Sequence, residues 1–235
     1  MPTGNKPIPN LVIPAVLSRL PLFSALAQDQ IERVASATRG KYLARGEILF
    51  QKGDPSHGFY IVITGQIKLA LPSAQGNEKV LEIIGPQQSF GEEAMLMNSP
   101  FPVFAEALLD SQLLHISKDA VSQLINANPT FARRMLAELS SHLYSLITDI
   151  EAYTLHSSTQ RLIGYLLQHS PHENDTRNRI EIKLPTSKHI LASRLNLTPE
   201  TFSRILHELV ASGFIEVHGR SITILDLHRL RRHEF

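Results

Sequence analysis

The sequence contains no cysteine and no tryptophan. Without cysteine the chain has no disulfide, no cysteine-ligated zinc, no iron–sulfur cluster held by thiolates and no thiol nucleophile. The chain also lacks any apolar run near the roughly 20 residues that a membrane-spanning helix needs. The apolar segment at residues 11–17 is short and interrupted by Pro14, which is unlike a secretory signal peptide. We therefore expect a cytoplasmic protein with no membrane partner.

The composition is that of a globular protein, with 43% hydrophobic and 19% charged residues in a chain of 235. This length suits one large domain or two small ones. The net charge of +1 is unevenly distributed, because residues 156–235 contain 11 lysines and arginines against 8 aspartates and glutamates. A basic C-terminal third favours an anionic partner there, although an excess this small also arises by chance.

The first half of the chain changes from a helical pattern to a strand pattern. Residues 14–38 predict short helices, and short runs of β-forming residues separated by glycine-containing turns follow. The predicted strands are 47–51, 59–63, 66–71, 79–84, 103–107 and 112–116. Strands of this length and spacing are typical of an antiparallel sandwich or barrel. A short helix is predicted over residues 118–128.

A long helix without glycine or proline is predicted after Pro129. Its apolar residues recur every three or four positions, as in the seam of a coiled coil. The seam residues are Leu136, Leu139, Leu143, Leu146 and Ile150. We predict that they form a homodimer interface, and the alternative is an amphipathic helix packed on its own domain. The segment His156–Ser158 interrupts the pattern and is a candidate hinge.

The segment Thr186–Asp226 predicts a helix-turn-helix followed by a β-hairpin. The first helix covers residues 187–195, and Asn196 suits a left-handed turn. Thr198 is a good N-cap and Pro199 a good first residue for the second helix. The apolar residues of the second helix, predicted to be buried, are Phe202, Ile205, Leu206 and Leu209. The hairpin, FIEVHGRSITILD, has its turn predicted at His218-Gly219.

The other face of the second helix carries polar residues suited to the major groove of double-stranded DNA. Arg204 can donate two hydrogen bonds to guanine, Glu200 can accept one from cytosine, and Ser203 can contact a thymine methyl group or a polar edge. The alternative is a surface ion pair between Glu200 and Arg204. We predict further DNA contacts from the residues Thr198, Lys188 and Arg220.

With these features the chain resembles the CRP/FNR family of bacterial transcription regulators over roughly residues 16–230. The resemblance rests on Gly46–Gly53 (GEILFQKG), Gly65 in ITGQIK, Phe90-Gly91-Glu92 and the segment LNLTPETFSRILHEL at residues 195–209. It implies an α+β fold: an N-terminal antiparallel, jelly-roll-like β-roll of the cyclic-nucleotide-binding type, a long dimerisation helix and a C-terminal winged helix-turn-helix. The implied boundaries are 1–127, 128–156 and 157–235.

The resemblance also implies a function, which is sequence-specific regulation of transcription by a homodimer under control of an effector in the β-roll. RNA polymerase is the implied protein partner. The pattern from Glu200 to Arg204 is similar to the recognition helix of FNR-type members, which bind TTGAT…ATCAA palindromes. A predicted effector pocket next to the long helix comprises Glu92, Met95, Leu96, Phe104, Leu143 and Ile147.

The sensor half departs from two subfamilies. Iron–sulfur sensing requires cysteines, which are absent. Cyclic-nucleotide sensing requires an arginine for the phosphate, yet no lysine or arginine occurs between Val80 and Ser117, and Phe101-Pro102-Val103 stands at the expected position. A buried phosphate without a cation is unfavourable. We therefore expect neither an iron–sulfur cluster nor a cyclic nucleotide.

An apolar segment, AMLMNSPFPVF, replaces the phosphate site. This segment and LTPETFSR are similar to the DNR branch of the family, whose members sense nitric oxide through haem. The resemblance therefore implies haem, with His142 or His57 as axial ligand. Core packing is the alternative explanation of the apolar segment. No spacing of potential ligands predicts a separate metal site.

Three other interpretations are weaker. The first is a nucleotide-binding module whose winged helix makes protein contacts, and DNA binding that depends on half-site sequence would distinguish it from the regulator. An enzyme is not expected, because the sequence has no phosphate loop, nucleophile elbow or HExxH motif, and Glu92 and Glu93 would point to opposite faces of a strand. A cyclic-AMP-type regulator would need Arg133 or Arg134 to reach the pocket.

Overall fold

The computed structural model describes residues 12–72, 78–170 and 179–232. The chain divides into two compact units, Met1–Tyr144 and Ser145–Phe235. The division falls inside the longest helix, so the two halves of this helix belong to different units. In the described part of the chain no helix combines the length and the apolar character needed to cross a membrane.

The first unit contains eight described strands, four complete helices and the first part of a fifth. The strands are β1 (Thr38–Leu43), β2 (Ile48–Phe50), β3 (Gly58–Thr64), β4 (Ile67–Pro72), β5 (Glu78–Ile84), β6 (Ser89–Phe90), β7 (Phe104–Ala107) and β8 (Ser111–Ser117). The helices are α1 (Ile13–Leu17), α2 (Gln28–Ser36), α3 (Glu92–Met97), α4 (Lys118–Ala127) and α5 (Pro129–Leu155), which continues into the second unit.

The strands form two four-stranded antiparallel sheets, with the orders β1-β8-β3-β6 and β2-β7-β4-β5. Alternation along β3 gives the first sheet two buried faces. Phe59 and Ile61 pack with the helices, in a cluster that includes Phe131 of α5. Val62 packs between the sheets. This arrangement agrees with the predicted β-roll.

The six predicted strands are present, and two further strands were missed. β1 contains Arg39, Gly40 and Lys41, which are poor strand signals, and β6 has only two residues. The prediction that Glu92 and Glu93 lie on a strand is wrong, because both begin α3. Left-handed residues at Gly91 (φ 87°) and Asn98 (φ 53°) bound this six-residue helix.

Gly65 is required by its backbone conformation and by its surroundings. Its φ is +90°, in the region that residues with side chains avoid. A Cβ atom at this position would lie 2.2 Å from the Ser111 hydroxyl oxygen. The turn between β3 and β4 therefore depends on glycine.

The second unit is built around one apolar core. Its elements after α5 are α6 (Ser158–Gln168), β9 (Ile180–Lys183), α7 (Lys188–Arg194), α8 (Pro199–Ala211), β10 (Ile215–His218), β11 (Ser221–Ile224) and α9 (Leu227–Arg231). The strands form an antiparallel sheet in the order β10-β11-β9. The core draws on all of these elements, which gives the predicted winged helix-turn-helix.

Candidate nucleic-acid interface and effector cavity

The start of α8 is fixed by local hydrogen bonds. Asn196 has φ 56°, as expected for the turn between α7 and α8. The Thr198 hydroxyl oxygen accepts a hydrogen bond from the backbone N–H of Thr201 over 3.2 Å, and Pro199 is the first helical residue. The sequence predictions for this turn and cap are confirmed.

The two faces of α8 differ in burial. Phe202, Ile205, Leu206 and Leu209 are at most 3% exposed, as predicted. Glu200, Ser203 and Arg204 are exposed on the opposite face. The packing of α8 therefore leaves all three predicted base-contacting side chains accessible from one side.

Arg204 forms an ion pair, but not the pair considered from the sequence. Its Nη1 lies 2.8 Å from Oε1 of Glu208, one turn further along the helix. Both side chains are more than half exposed, so this pair contributes only about 0.3–0.5 kcal/mol and is easily exchanged. Hydrogen bonds from the backbone N–H of Glu200 and from the Thr198 side chain lower the pKa of the Glu200 carboxyl.

The remaining predicted DNA contacts lie in the same unit. Lys188 is the first residue of α7, after its N-cap Ser187. In the hairpin His218 pairs with Ser221, so the turn residues are Gly219 and Arg220, one position later than predicted. The positive φ of Gly219 (60°) permits this turn, and Arg220 is exposed at its tip. The DNA-contacting roles of these residues stay predictions.

Phe101, which stands where a phosphate-binding arginine would be expected, packs among other aromatic rings. The Phe101 ring stacks on Phe50, with the ring centres 3.7 Å apart and the planes 7° apart. A Cβ atom added at Gly91 would lie 3.1 Å from the Phe101 ring. Phe101 is therefore a core residue closely packed against the Gly91 backbone.

Lys68 is a buried cation that the sequence analysis did not single out. Its Nζ lies 2.6 Å from both carboxylate oxygens of Glu78 and 2.9 Å from Oε2 of Glu106. The same Nζ lies 5.3 Å from the ring centre of Phe104. Residue spacing gave no signal for this cluster, because its members come from three strands.

Glu92 is a buried acid, and neither of its carboxyl oxygens has a hydrogen bond of normal geometry to a described residue. Its exposure is 2%. Burial raises the pKa of Glu92 to about 8; the Ser89 hydroxyl and the Glu92 backbone N–H act against this shift, and the Glu138 carboxylate adds to it. Glu138 itself accepts a hydrogen bond from the Ser89 hydroxyl over 2.7 Å. At neutral pH Glu92 is therefore mainly a neutral acid beside α5.

A cavity of about 490 Å³ lies between α5, the segment 20–24 and the start of β6. Its polar lining includes Ser89, Arg134 and Glu138, and Leu20 and Ile61 contribute apolar surface. Arg134 donates hydrogen bonds to the Pro21 carbonyl and, over 2.6 Å, to the Ser24 hydroxyl.

None of the six residues predicted for the effector pocket lines this cavity. Glu92 and Met95 are buried, and Met95 belongs to the apolar cluster that contains Phe131. Phe104 faces Lys68, and Leu96 is 40% exposed. The remaining two, Leu143 and Ile147, are exposed on α5. Contacts between distant segments determine the walls of this cavity, and the role of the six residues in effector binding stays a prediction.

The two candidate haem ligands differ in their surroundings. His57 is exposed between β2 and β3, whereas His142 is half-buried on α5. His142 follows Ser141 and lies one helical turn after Glu138, and both of these residues line the cavity. In the described ranges no group of three or more histidine, aspartate or glutamate side chains is arranged to hold a metal ion.

The predicted dimer seam is largely exposed in the single chain. Leu136, Leu143, Leu146 and Ile150 are 49–63% exposed. Leu139 differs, because it is half-buried against the apolar core of the first unit. Exposed apolar residues repeated along a helix are typical of a surface covered by another chain.

Comparison with known proteins gives two family matches. The family described as "Cyclic nucleotide-binding domain" matches residues 40–128. The family described as "Crp-like helix-turn-helix domain" matches residues 160–233. A curated relative, the "Cyclic AMP receptor protein" of Thermus thermophilus, is 24% identical over 206 residues, which is 88% of this chain and 93% of the relative.

Two solved structures are also similar. FixK2 from Bradyrhizobium japonicum has a TM-score of 0.73 at 20% identity, covering 84% of this chain and 98% of FixK2. DNR from Pseudomonas aeruginosa is 35% identical, covering 95% of this chain and 98% of DNR, with a TM-score of 0.49. The likeness to FixK2 shows the same fold.

Proposed function

The chain belongs to the CRP/FNR family of transcription regulators, and from this premise we propose that it is a homodimer that binds a TTGAT…ATCAA palindrome. Regulators of this family bind DNA and act as dimers. The observation that carries the proposal is the exposed face of α8, which presents Glu200, Ser203 and Arg204 together. Two such helices related by a twofold axis fit successive major grooves, about one helical turn apart.

The proposed base contacts follow from hydrogen-bonding geometry. Arg204 exchanges its weak pair with Glu208 for two hydrogen bonds to guanine, and Glu200 accepts one from the cytosine amino group. Lys188 and Arg220 contact phosphates, as does the Thr198 hydroxyl at the helix start. The exposed seam on α5 holds the two chains together. RNA polymerase is the protein partner, and the cytoplasm is the site of action.

The experiment compares Arg204→Ala with Glu208→Gln on the palindrome and on scrambled DNA of equal length. Arg204→Ala is expected to lose roughly 1–3 kcal/mol of binding free energy on the palindrome and far less on scrambled DNA. Glu208→Gln removes the ion pair but keeps the arginine, so it should retain the sequence preference. Equal losses for Arg204→Ala on both DNAs would refute base recognition and favour a winged helix used for other contacts.

We further propose that the effector is haem, which His142 would ligate beside the 490 Å³ cavity. Support comes from the neighbours of His142 on α5, because Ser141 and Glu138, one turn earlier, line the cavity, although His142 itself is not among the lining residues. Bound haem would supply an iron that binds nitric oxide. His57 is the second ligand candidate, but it is exposed in the loop that connects β2 and β3, where the protein would not enclose haem. By binding one of two pre-existing states more tightly, the effector would shift the dimer toward that state.

Absorption spectra test the haem proposal directly. Ferrous haem and then nitric oxide are added to the wild type, His142→Ala and His57→Ala. A saturable Soret band that shifts with nitric oxide is expected for the wild type and His57→Ala, but not for His142→Ala. A band retained in His142→Ala would refute the ligand assignment. Free-haem spectra for all three proteins would refute haem binding while leaving the DNA-binding proposal intact.

One observation favours a second effector class. Arg134 lines the cavity and so offers a cation to an anionic group, such as the phosphate of a cyclic nucleotide. Titration calorimetry with cyclic AMP separates the two classes. Binding by the wild type that is lost in Arg134→Ala would support the anionic effector and replace haem in the proposal.

A further inference from the structure

The second half of α5 is joined to the helix-turn-helix by three polar side chains. Arg194, the last residue of α7, places Nη2 2.8 Å from Oδ2 of Asp149. Its Nη1 donates to the Tyr153 hydroxyl over 2.7 Å, and that hydroxyl donates to the Arg194 carbonyl over 2.5 Å. We call Asp149, Tyr153 and Arg194 the α5–α7 clamp.

The geometry of the clamp restrains rotation as well as distance. Asp149 and Tyr153 are four residues apart and therefore lie on one face of α5. The planar guanidinium of Arg194 contacts both at once, so α7 is held at two points along α5. The Arg194 and Asp149 side chains are only 18% and 22% exposed, so this pair is less screened than a surface pair.

The clamp lies immediately before the turn that leads into α8. Arg194 is followed by the buried Leu195 and the left-handed Asn196. The Leu197 N–H donates to the Ala192 carbonyl over 2.9 Å, which ties this turn back to α7. A change in the angle between α7 and α5 is therefore passed on to α8.

The clamp residues on α5 are also close in sequence to the predicted dimer seam. Asp149 precedes the exposed Ile150, and Leu146 lies three residues earlier on the same helix. One helix thus carries both the surface proposed to join the chains and the contacts that orient the DNA-binding helices.

We propose that Arg194 is a positioning residue which, through Asp149 and Tyr153, sets the half-site spacing that the dimer accepts. The inference rests on the proposed function, namely palindrome binding by a homodimer. One added base pair moves the half-sites apart by about 3.4 Å and rotates one relative to the other by about 35°. In a dimer with an intact clamp the DNA-binding helices keep their orientation and lose affinity for the altered spacing. In a dimer without the clamp these helices can reorient to fit the altered spacing.

The experiment measures the affinity of the full-length protein for palindromes whose centre is shortened by one base pair, unchanged or lengthened by one. A single half-site on DNA of equal length is measured in parallel. The variants are Arg194→Ala, Arg194→Lys and Tyr153→Phe. Arg179→Ala is the control, because it removes an exposed arginine whose ion pair with Glu216 lies elsewhere in the same unit.

For Arg194→Ala we expect the preference for the natural spacing to fall by roughly 2- to 30-fold, with half-site affinity retained. Arg194→Lys, which keeps the charge but loses the fork, and Tyr153→Phe, which keeps the ion pair, should fall between this variant and the wild type. Arg179→Ala should match the wild type.

An unchanged spacing preference in folded Arg194→Ala and Tyr153→Phe would overturn the inference. Circular dichroism establishes folding, and Tyr153→Phe keeps the test valid if Arg194→Ala unfolds. A loss of half-site affinity equal to the loss on the palindrome would also overturn it, since that result indicates a damaged DNA-binding unit. Failure of the proposed function is visible separately, because the wild type would then show no preference for the palindrome at all.

Discussion

Replacing Glu92 with glutamine is expected to remove a pH dependence from the stability of the first unit. Glu92 is 2% exposed, and its carboxyl oxygens have no hydrogen bond of normal geometry to a described residue. Ionisation at this position is unfavourable because of burial and, secondarily, because Glu138 and Glu93 are nearby. Glutamine keeps the size of the side chain and cannot ionise.

The magnitude follows from the two pKa values of Glu92. Its pKa is about 8 in the folded protein, against an ordinary value of 4.5 for glutamate. Between these values the folded chain binds a proton that the unfolded chain releases, so stability falls as the pH rises. The slope approaches about 1.4 kcal/mol per pH unit in this window and vanishes above the folded pKa. The stabilisation by protonated Glu92 is complete below pH 4.5 and is lost progressively toward pH 8.

The assay is urea unfolding at several pH values from 5 to 9, followed by circular dichroism and tyrosine fluorescence. The free energy of unfolding is compared for the wild type, Glu92→Gln and Glu93→Gln. Glu93 is the matched control because it is the neighbouring glutamate and is exposed. We expect the pH slope of Glu92→Gln to be smaller than that of the wild type, and Glu93→Gln to follow the wild type.

Parallel pH profiles for the wild type and Glu92→Gln would refute the reasoning. Such profiles would mean that the Glu92 carboxyl has a pKa near its ordinary value, and therefore that it is solvated or hydrogen-bonded in solution. A uniform offset between the two profiles would not support the prediction either, because an offset reports packing rather than ionisation.

Two further predictions concern local structure. Thr198→Ala should lower the free energy of unfolding of the second unit by about 1 kcal/mol, because the Thr201 N–H loses its capping acceptor. Thr198→Ser keeps the hydroxyl and should retain most of the stability in thermal unfolding. Equal effects of the two substitutions would contradict the capping role. Gly65→Ala should lower the melting temperature of the first unit, because alanine at φ +90° would also place Cβ against Ser111. A melting temperature equal to that of the wild type would show that the turn relaxes without cost, and Gly164→Ala, where a Cβ meets open space in α6, is the control.

The helix-turn-helix was predictable because its signals are local. The Thr198 cap, Pro199 at the first helical position and Asn196 at the turn each act within a few residues, and the apolar period of α8 identified its buried face. β1 was missed because Arg39, Gly40 and Lys41 interrupt its pattern.

The 490 Å³ cavity beside α5 was not predictable from residue patterns. Arg134 meets Pro21 and Ser24 across more than 100 residues of sequence, and Ser89 meets Glu138 across nearly 50. Pairings of this kind depend on how the sheets and α5 pack, so no spacing in the sequence records them. The same reason explains why the six residues proposed for the pocket did not line the cavity.

The Lys68 cluster has a consequence for which ligands the β-roll admits. One ammonium group between Glu78 and Glu106 leaves the cluster with a formal charge of −1. An anion that approached Lys68 would compete with two carboxylates that already lie 2.6 and 2.9 Å from its ammonium group. Lys68 is therefore poorly available to an anionic ligand. If an anion occupies the 490 Å³ cavity, its charge acts on Arg134 and therefore on α5.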